Sequence, residues 1–142
     1  DNKVDIIWGV AGLSGNGGAE AALESGKAWF IGVDSDQELT LSDELAAITL
    51  TSGLKNVGNS IVWIFDEWDA GRTYWGKEVN LGLVEGGVGF VSDKNFKNIA
   101  PKDVQDLVLA AEKAIRNKEI EVPSAIGDDT NGVIALRDEM QP

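Results

Sequence analysis

The apolar run Ala28-Trp29-Phe30-Ile31-Gly32-Val33 stops abruptly at Asp34-Ser35-Asp36-Gln37, and that junction constrains the fold more than any other stretch. An apolar run of strand length with polar residues at its end has the pattern of a buried parallel strand delivering side chains to the carboxyl edge of a sheet. In open α/β sheets, ligands bind outside that edge. Asp34 is therefore the first candidate for contact with a small molecule. The competing reading is a solvated acid at a strand end.

The residues before this run complete a unit. Residues 4–10, Val-Asp-Ile-Ile-Trp-Gly-Val, read as an earlier buried strand. The glycine-rich loop Gly12-Leu13-Ser14-Gly15-Asn16-Gly17-Gly18 follows, then a short helix over 19–24 that Ser25-Gly26 stops. Strand, loop, helix and strand in so few residues imply parallel pairing with a right-handed crossover. Further on, 38–44 reads as a surface loop, 46–52 as extended chain and 53–56 as a turn. Val57, Ile61, Ile64, Phe65 and Trp68 then form one apolar stripe of a helix that stops near Ala70-Gly71. Residues 79–84 alternate as a strand, Glu85-Gly86-Gly87 breaks it, and 88–91 resumes extended chain. Pro101 suits the first position of a last helix, whose stripe is Val104, Leu107, Val108, Ala111 and Ile115. Val122-Pro123 ends the regular structure, and 125–142 reads as an acidic tail or appended segment.

Composition narrows the function. The net charge of −12 opposes binding to nucleic acid or to anionic membrane surfaces. There is no Cys, which excludes disulfides, thiol catalysis and zinc-thiolate sites, and no His, which removes the usual general base and most transition-metal sites. Any enzyme here would work with carboxylates, Lys and Tyr74 alone. The balance leans toward binding, with no cofactor.

The candidate site residues each carry two readings. Gly15-Asn16-Gly17 followed by Asp34 resembles part of a dinucleotide fingerprint, but Glu20 stands where that motif needs Gly or Ala. The loop otherwise offers backbone N–H groups to a ligand, or is a plain tight turn. Asp34 and Asp36, two apart on a strand, would share a face and could form an acid–base pair, yet nothing in the sequence separates their pKa values. A single carboxylate accepting two neighbouring sugar hydroxyls asks for less. Trp8, beside the glycine loop, is a candidate for core packing or for stacking on a base. Lys55 is a solvated lysine or a ligand donor at a segment crossing.

In this order, Val4-Asp5-Ile6-Ile7, Val10-Ala11-Gly12, Gly15-Asn16-Gly17, Ile31-Gly32-Val33-Asp34-Ser35-Asp36-Gln37, Leu50-Thr51-Ser52-Gly53-Leu54-Lys55-Asn56-Val57, Gly82-Leu83-Val84-Glu85-Gly86-Gly87-Val88-Gly89 and Ile120-Glu121-Val122-Pro123 resemble the basic membrane protein family. Its members are substrate-binding lipoproteins of ABC transporters that look like purine nucleoside receptors. The resemblance covers roughly residues 4–123. It implies an α/β fold: a Rossmann-like, parallel-sheet lobe of a two-lobed type I periplasmic-binding-protein fold, here incomplete. Residues 1–124 would be the C-terminal portion, mostly second lobe, with the 57–70 helix belonging to the first lobe. The family's N-terminal half and its lipid-anchored cysteine are not in this sequence. The resemblance also implies an ABC permease partner, an extracytoplasmic location, and a helix stripe covered by a missing N-terminal half or by a homodimer. By the same resemblance Asp34 would accept ribose hydroxyls, Lys55 would reach the nucleoside, and Gly12, Gly15 and Gly17 would shape the pocket wall. Two departures stand out: Gly53 where members often carry a larger residue, and Asn56 where a basic residue is frequent.

Overall fold

The computed structural model describes residues 3–122 and 130–140. A four-stranded sheet in the order β1-β2-β3-β4 organises them, with β1 at Ile6–Trp8, β2 at Trp29–Asp34, β3 at Thr49–Lys55 and β4 at Val88–Phe90. The first three strands pair in parallel, as the crossover unit requires, and β4 joins β3 antiparallel. Between β1 and β2 a 3-10 turn over Gly12–Gly15 runs straight into α1, Asn16–Ser25, which Gly26 ends in the left-handed conformation. The α1 helix thus begins earlier than the apolar spacing suggests, because the glycine loop itself coils.

α1 packs Ala19 and Ala22 against Phe30 of β2, which is 0% exposed, with Ile7, Leu41, Leu45 and Ile48 closing the cluster. Burying a Phe side chain contributes about 1.5–3 kcal/mol, so this ring anchors the sheet to its helix. The helices cover one face. Along β2, Phe30 and Gly32 are buried while Trp29, Ile31 and Val33 on the opposite face are only half-buried. The continuous apolar run predicted burial on both faces; the described residues bury one.

Several expectations over 38–56 are corrected. The surface loop contains a 3-10 turn, Gln37–Leu39, and α2, Asp43–Ala47. β3 extends through Gly53, Leu54 and Lys55, where a turn was expected, because β4 pairs with those residues. A bulge in β3 opposite Phe30 and Ile31 lets both Thr49 and Ser52 turn inward. Thr49 donates to the Leu45 carbonyl at 2.8 Å.

Residues 79–84, expected as a strand, form none: Gly82 N–H is taken by the Glu85 carboxylate at 2.9 Å, and Gly87 N–H by the Gly82 carbonyl at 3.0 Å, closing a turn instead of a ladder. α3, Val57–Asp69, is helical as its stripe predicts but has no buried residue. Its start is stitched to the same turn, with Asn56 N–H on the Gly87 carbonyl and the Asn56 and Asn59 amides on the Gly86 carbonyl. α4, Lys94–Ile99, was not expected; its Phe96 is buried and meets Phe90 edge-on at 5.5 Å. α5, Lys102–Arg116, forms where its stripe predicts, but Pro101 stands just before it as the N-cap and not at the first helical position, and α5 is not the last helix. Thr130–Met140 forms a helix, α6, within the segment read as a tail, while 123–129 and 141–142 of that reading lie outside the described residues.

Candidate functional site

The site is built where β1 ends before β2 does. Trp8 pairs with Ile31 and Gly9 N–H reaches the Ile31 carbonyl at 3.0 Å, after which the chain turns away into the glycine loop. Val33 points its N–H to the same side as Ile31, where a strand partner no longer exists. The Gln37 side chain takes that place: its Oε1 accepts from Val33 N–H at 2.9 Å. The Val33 carbonyl accepts from Ser35 N–H at 2.8 Å, closing a γ-turn around Asp34, whose φ is +69°. Such a conformation costs a non-glycine residue about 1–3 kcal/mol, though Asp tolerates it better than most.

Gln37 is held in turn from two sides. Its N–H donates to Ser52 Oγ at 3.0 Å, and its Nε2 donates to Asn16 Oδ1 at 3.3 Å. This crossing of β2, β3 and α1 is possible because residue 32 is glycine. A Cβ there would lie 2.5 Å from Ser52 Oγ and 2.7 Å from Gln37 Oε1.

Asp34 stands half-exposed at the tip, with Oδ1 2.9 Å from Lys55 Nζ. Lys55 comes from the end of β3, one strand over, and is also largely in water. Exposed pairs of this kind contribute little to stability, so both groups remain available to a ligand. An open hollow of about 360 Å³ lies on one side of Asp34, lined by Gly12, Leu13, Asn16, Val33 and Gln37 among others. Another of about 340 Å³ lies on the other side, with Trp8, Leu54, Lys55 and Val88. The carboxylate can therefore accept hydrogen bonds from two adjacent hydroxyls, the ammonium can donate, and Trp8, Leu54 and Val88 offer apolar surface.

Asp36 has a different fate. The strand ends at Asp34, so the same-face rule no longer applies, and the carboxylate pair that the spacing allowed does not form. Asp36 Oδ1 accepts from Glu38 N–H at 3.2 Å and caps the 3-10 turn, while Oδ2 is ion-paired with Lys94. That contact holds the Lys94 ammonium above its usual range. Burial pushes the neighbouring Glu38 carboxyl up, against a hydrogen bond from the Asn95 backbone that pulls it down.

The other expected residues divide. Trp8 is 62% exposed, so it is not a core residue here, and it borders the Lys55 hollow. Gly12, at φ +53°, borders the other. Gly15 is buried, and a Cβ on it would meet the Gly9 carbonyl oxygen at 2.4 Å, so it packs the loop. Gly17 sits exposed in the first turn of α1 with open space beside it. Glu20 is exposed farther along the same helix. Asn16, Gln37, Leu54 and Val88 went unnoticed in the sequence. Gln37 was detectable in principle, by asking what satisfies the last N–H of a strand that outruns its neighbour.

The family model described as ABC transporter substrate-binding protein, PnrA-like, matches residues 1–125. This chain belongs to that family. Basic membrane protein A of Borreliella afzelii is 38% identical over 122 residues, which is 84% of this chain and 35% of that protein. Basic membrane protein B of Borreliella afzelii (strain PKo) is also 38% identical, over 84% of this chain and 32% of the relative. The chain thus spans about a third of the length of these curated relatives. A solved ABC transporter solute-binding protein from Aeropyrum pernix K1 superposes on 95% of this chain and 44% of its own, with a TM-score of 0.68 and 24% identity. That likeness confirms the α/β fold. The family is one of substrate-binding proteins, not enzymes, and the dinucleotide-cofactor reading of the glycine loop is set aside in its favour.

Proposed function

We propose that this chain forms one side of a nucleoside-binding cleft in an ABC importer's substrate-binding protein. The observation that carries the reading is Asp34: a carboxylate raised on a stapled turn at the sheet edge, beside Lys55 at 2.9 Å and between two open hollows. Its oxygens accept the vicinal hydroxyls of a ribose, Lys55 donates to a polar atom of the same ligand, and Trp8 offers its ring to the base. Gly12, Leu13 and Asn16 form the adjoining wall, with Gly15 packing the loop behind them. Residues 1–124 are the C-terminal portion of such a protein, mostly its second lobe, with 57–70 belonging to the first lobe. Residues 125–142 are an acidic tail or an appended segment.

The ligand is held by closure of two lobes and handed to a membrane permease outside the cytoplasm, from a protein that is periplasmic or lipid-anchored. Among the described residues no helix is long and apolar enough to cross a membrane. Closure supplies the remaining contacts, so this chain by itself binds weakly or not at all. Calorimetric titration of inosine, guanosine, adenosine and the free bases tests the assignment, on this chain and on the chain extended to the family's length. Saturable binding of nucleosides in preference to bases supports it. Heat from the bases alone, or from none of the ligands, rejects it.

A second reading rests on the uncovered α3 stripe, where Ile61, Phe65 and Trp68 are all more than half exposed. A homodimer through 57–70 would cover it. Sedimentation equilibrium separates the cases: a mass that doubles with concentration favours the dimer, and a monomer at all concentrations leaves the stripe to the rest of a longer protein.

A further inference from the structure

We infer that Gln37 is the positioning residue of the Asp34 site, an inference that rests on reading Asp34 as the ligand contact. Asp34 cannot hold its conformation by itself. A positive φ in a γ-turn is strained, and among the described residues the Asp34 carboxylate is paired with Lys55, itself largely exposed. What fixes the turn is the residue on either side of it. Val33 is locked by its N–H on Gln37 Oε1, and Ser35 by its N–H on the Val33 carbonyl.

The Gln37 amide does two tasks at once that a smaller or apolar side chain cannot. Its oxygen replaces the missing β1 strand, and its nitrogen reaches Asn16 on α1. The backbone N–H of the same residue is fixed on Ser52 of β3. Residue 37 therefore ties the tip of β2 to α1 through its side-chain amide and to β3 through its backbone N–H, and Gly32 leaves the room the side chain occupies. Gln37 need not touch the ligand. Its role is to keep the Asp34 carboxylate at one height above the sheet edge.

The test combines amide hydrogen exchange with binding. In Gln37→Met, which keeps the length and removes both polar atoms, exchange at Val33 and Ser35 is expected to speed up by about tenfold, the cost of an unpaired N–H. Phe30 and Ile31, held by neighbouring strands, should keep their protection. Nucleoside affinity, measured in whichever form of the parent binds, should fall by about tenfold alongside. Asn16→Ala, which removes only the far partner of the amide, should loosen the same two N–H groups to a smaller degree, and it decides the matter if Gln37→Met fails to fold. Unchanged exchange at Val33 overturns the inference. So does faster exchange with full affinity, provided that Asp34→Ala has lost it. If the parent binds no nucleoside in any form, the nucleoside reading falls, and exchange at Val33 and Ser35 still decides whether Gln37 holds the turn.

Discussion

The turn at 33–37 and the stripe of α3 are both exposed, yet they are opposite kinds of surface. At the turn, polar groups of Gln37, Ser52 and Asn16 are spent on one another, and a single carboxylate is left facing water. On α3 the polar groups are arranged around an apolar face on which, among the described residues, no side chain is buried. Glu67 binds Arg72 through both oxygens at 2.5 Å and accepts from the Tyr74 hydroxyl at 2.9 Å. Tyr74 also rests on Trp63, with ring centroids 5.1 Å apart. This clasp folds 70–75 back along the helix and forms a hollow of about 310 Å³ with Ile64, Phe65, Trp68 and Trp75 on its walls. The two surfaces differ in what supports them and in what they display. The turn has its own support shell and displays a few polar atoms. The α3 face displays rings.

The comparison breaks first at the core behind the turn. Phe30→Ala should cost about 3–5 kcal/mol, whereas Phe65→Ala on the stripe should cost about 1 kcal/mol or less. Urea unfolding of the two variants checks the contrast, and similar losses would mean that α3 is packed after all. Next comes Gly32→Ala, where the added methyl collides with Ser52 and Gln37 and should destabilise by about 1–3 kcal/mol. A neutral result would show that the crossing of β2, β3 and Gln37 is looser than described.

Much of this contrast was legible in the sequence, and the rest was hidden for identifiable reasons. β2, α3 and α5 announce themselves because long periodic runs leave few alternatives. α2 and α4 are too short to show a period, and α4 contributes Phe96 as its buried residue. Residues 79–84 alternate as a strand would, but alternation records one-sided burial and not a pairing partner, and a turn satisfies those backbone groups. Asp34 stands out in the sequence because ligands of open α/β sheets bind outside the strand ends. Its separation from Asp36 was not foreseeable from spacing, since the γ-turn that parts them depends on a side chain three residues further on. Trp8 stayed ambiguous because a tryptophan on an edge strand has the same pattern whether its face is covered or open.

A sharper test of the turn itself is Lys55→Met. The exposed pair with Asp34 should add less than about 0.5 kcal/mol to stability, so unfolding should be unchanged while nucleoside affinity falls. Loss of stability with unaltered affinity would make the pair structural. The smallest effect belongs to the α3 clasp. Hydrogen bonds from Arg72, with Tyr74 adding to them, hold the Glu67 carboxyl down to about 2 from an ordinary 4.5. Because the folded value is the lower one, the clasp's contribution is present above the ordinary value and is lost as pH falls toward about 2. Tryptophan fluorescence followed through that acid window should shift in the parent and not in Glu67→Gln. Identical curves would detach the clasp from Glu67.

The most direct measurement is calorimetric titration of inosine into the chain extended to the family's length, beside its Asp34→Ala variant. Saturable binding is expected in the parent, with a loss of about a hundredfold or more in the variant, the worth of two hydrogen bonds to a charged group. Equal affinity in a folded variant would contradict it and remove Asp34 from the site.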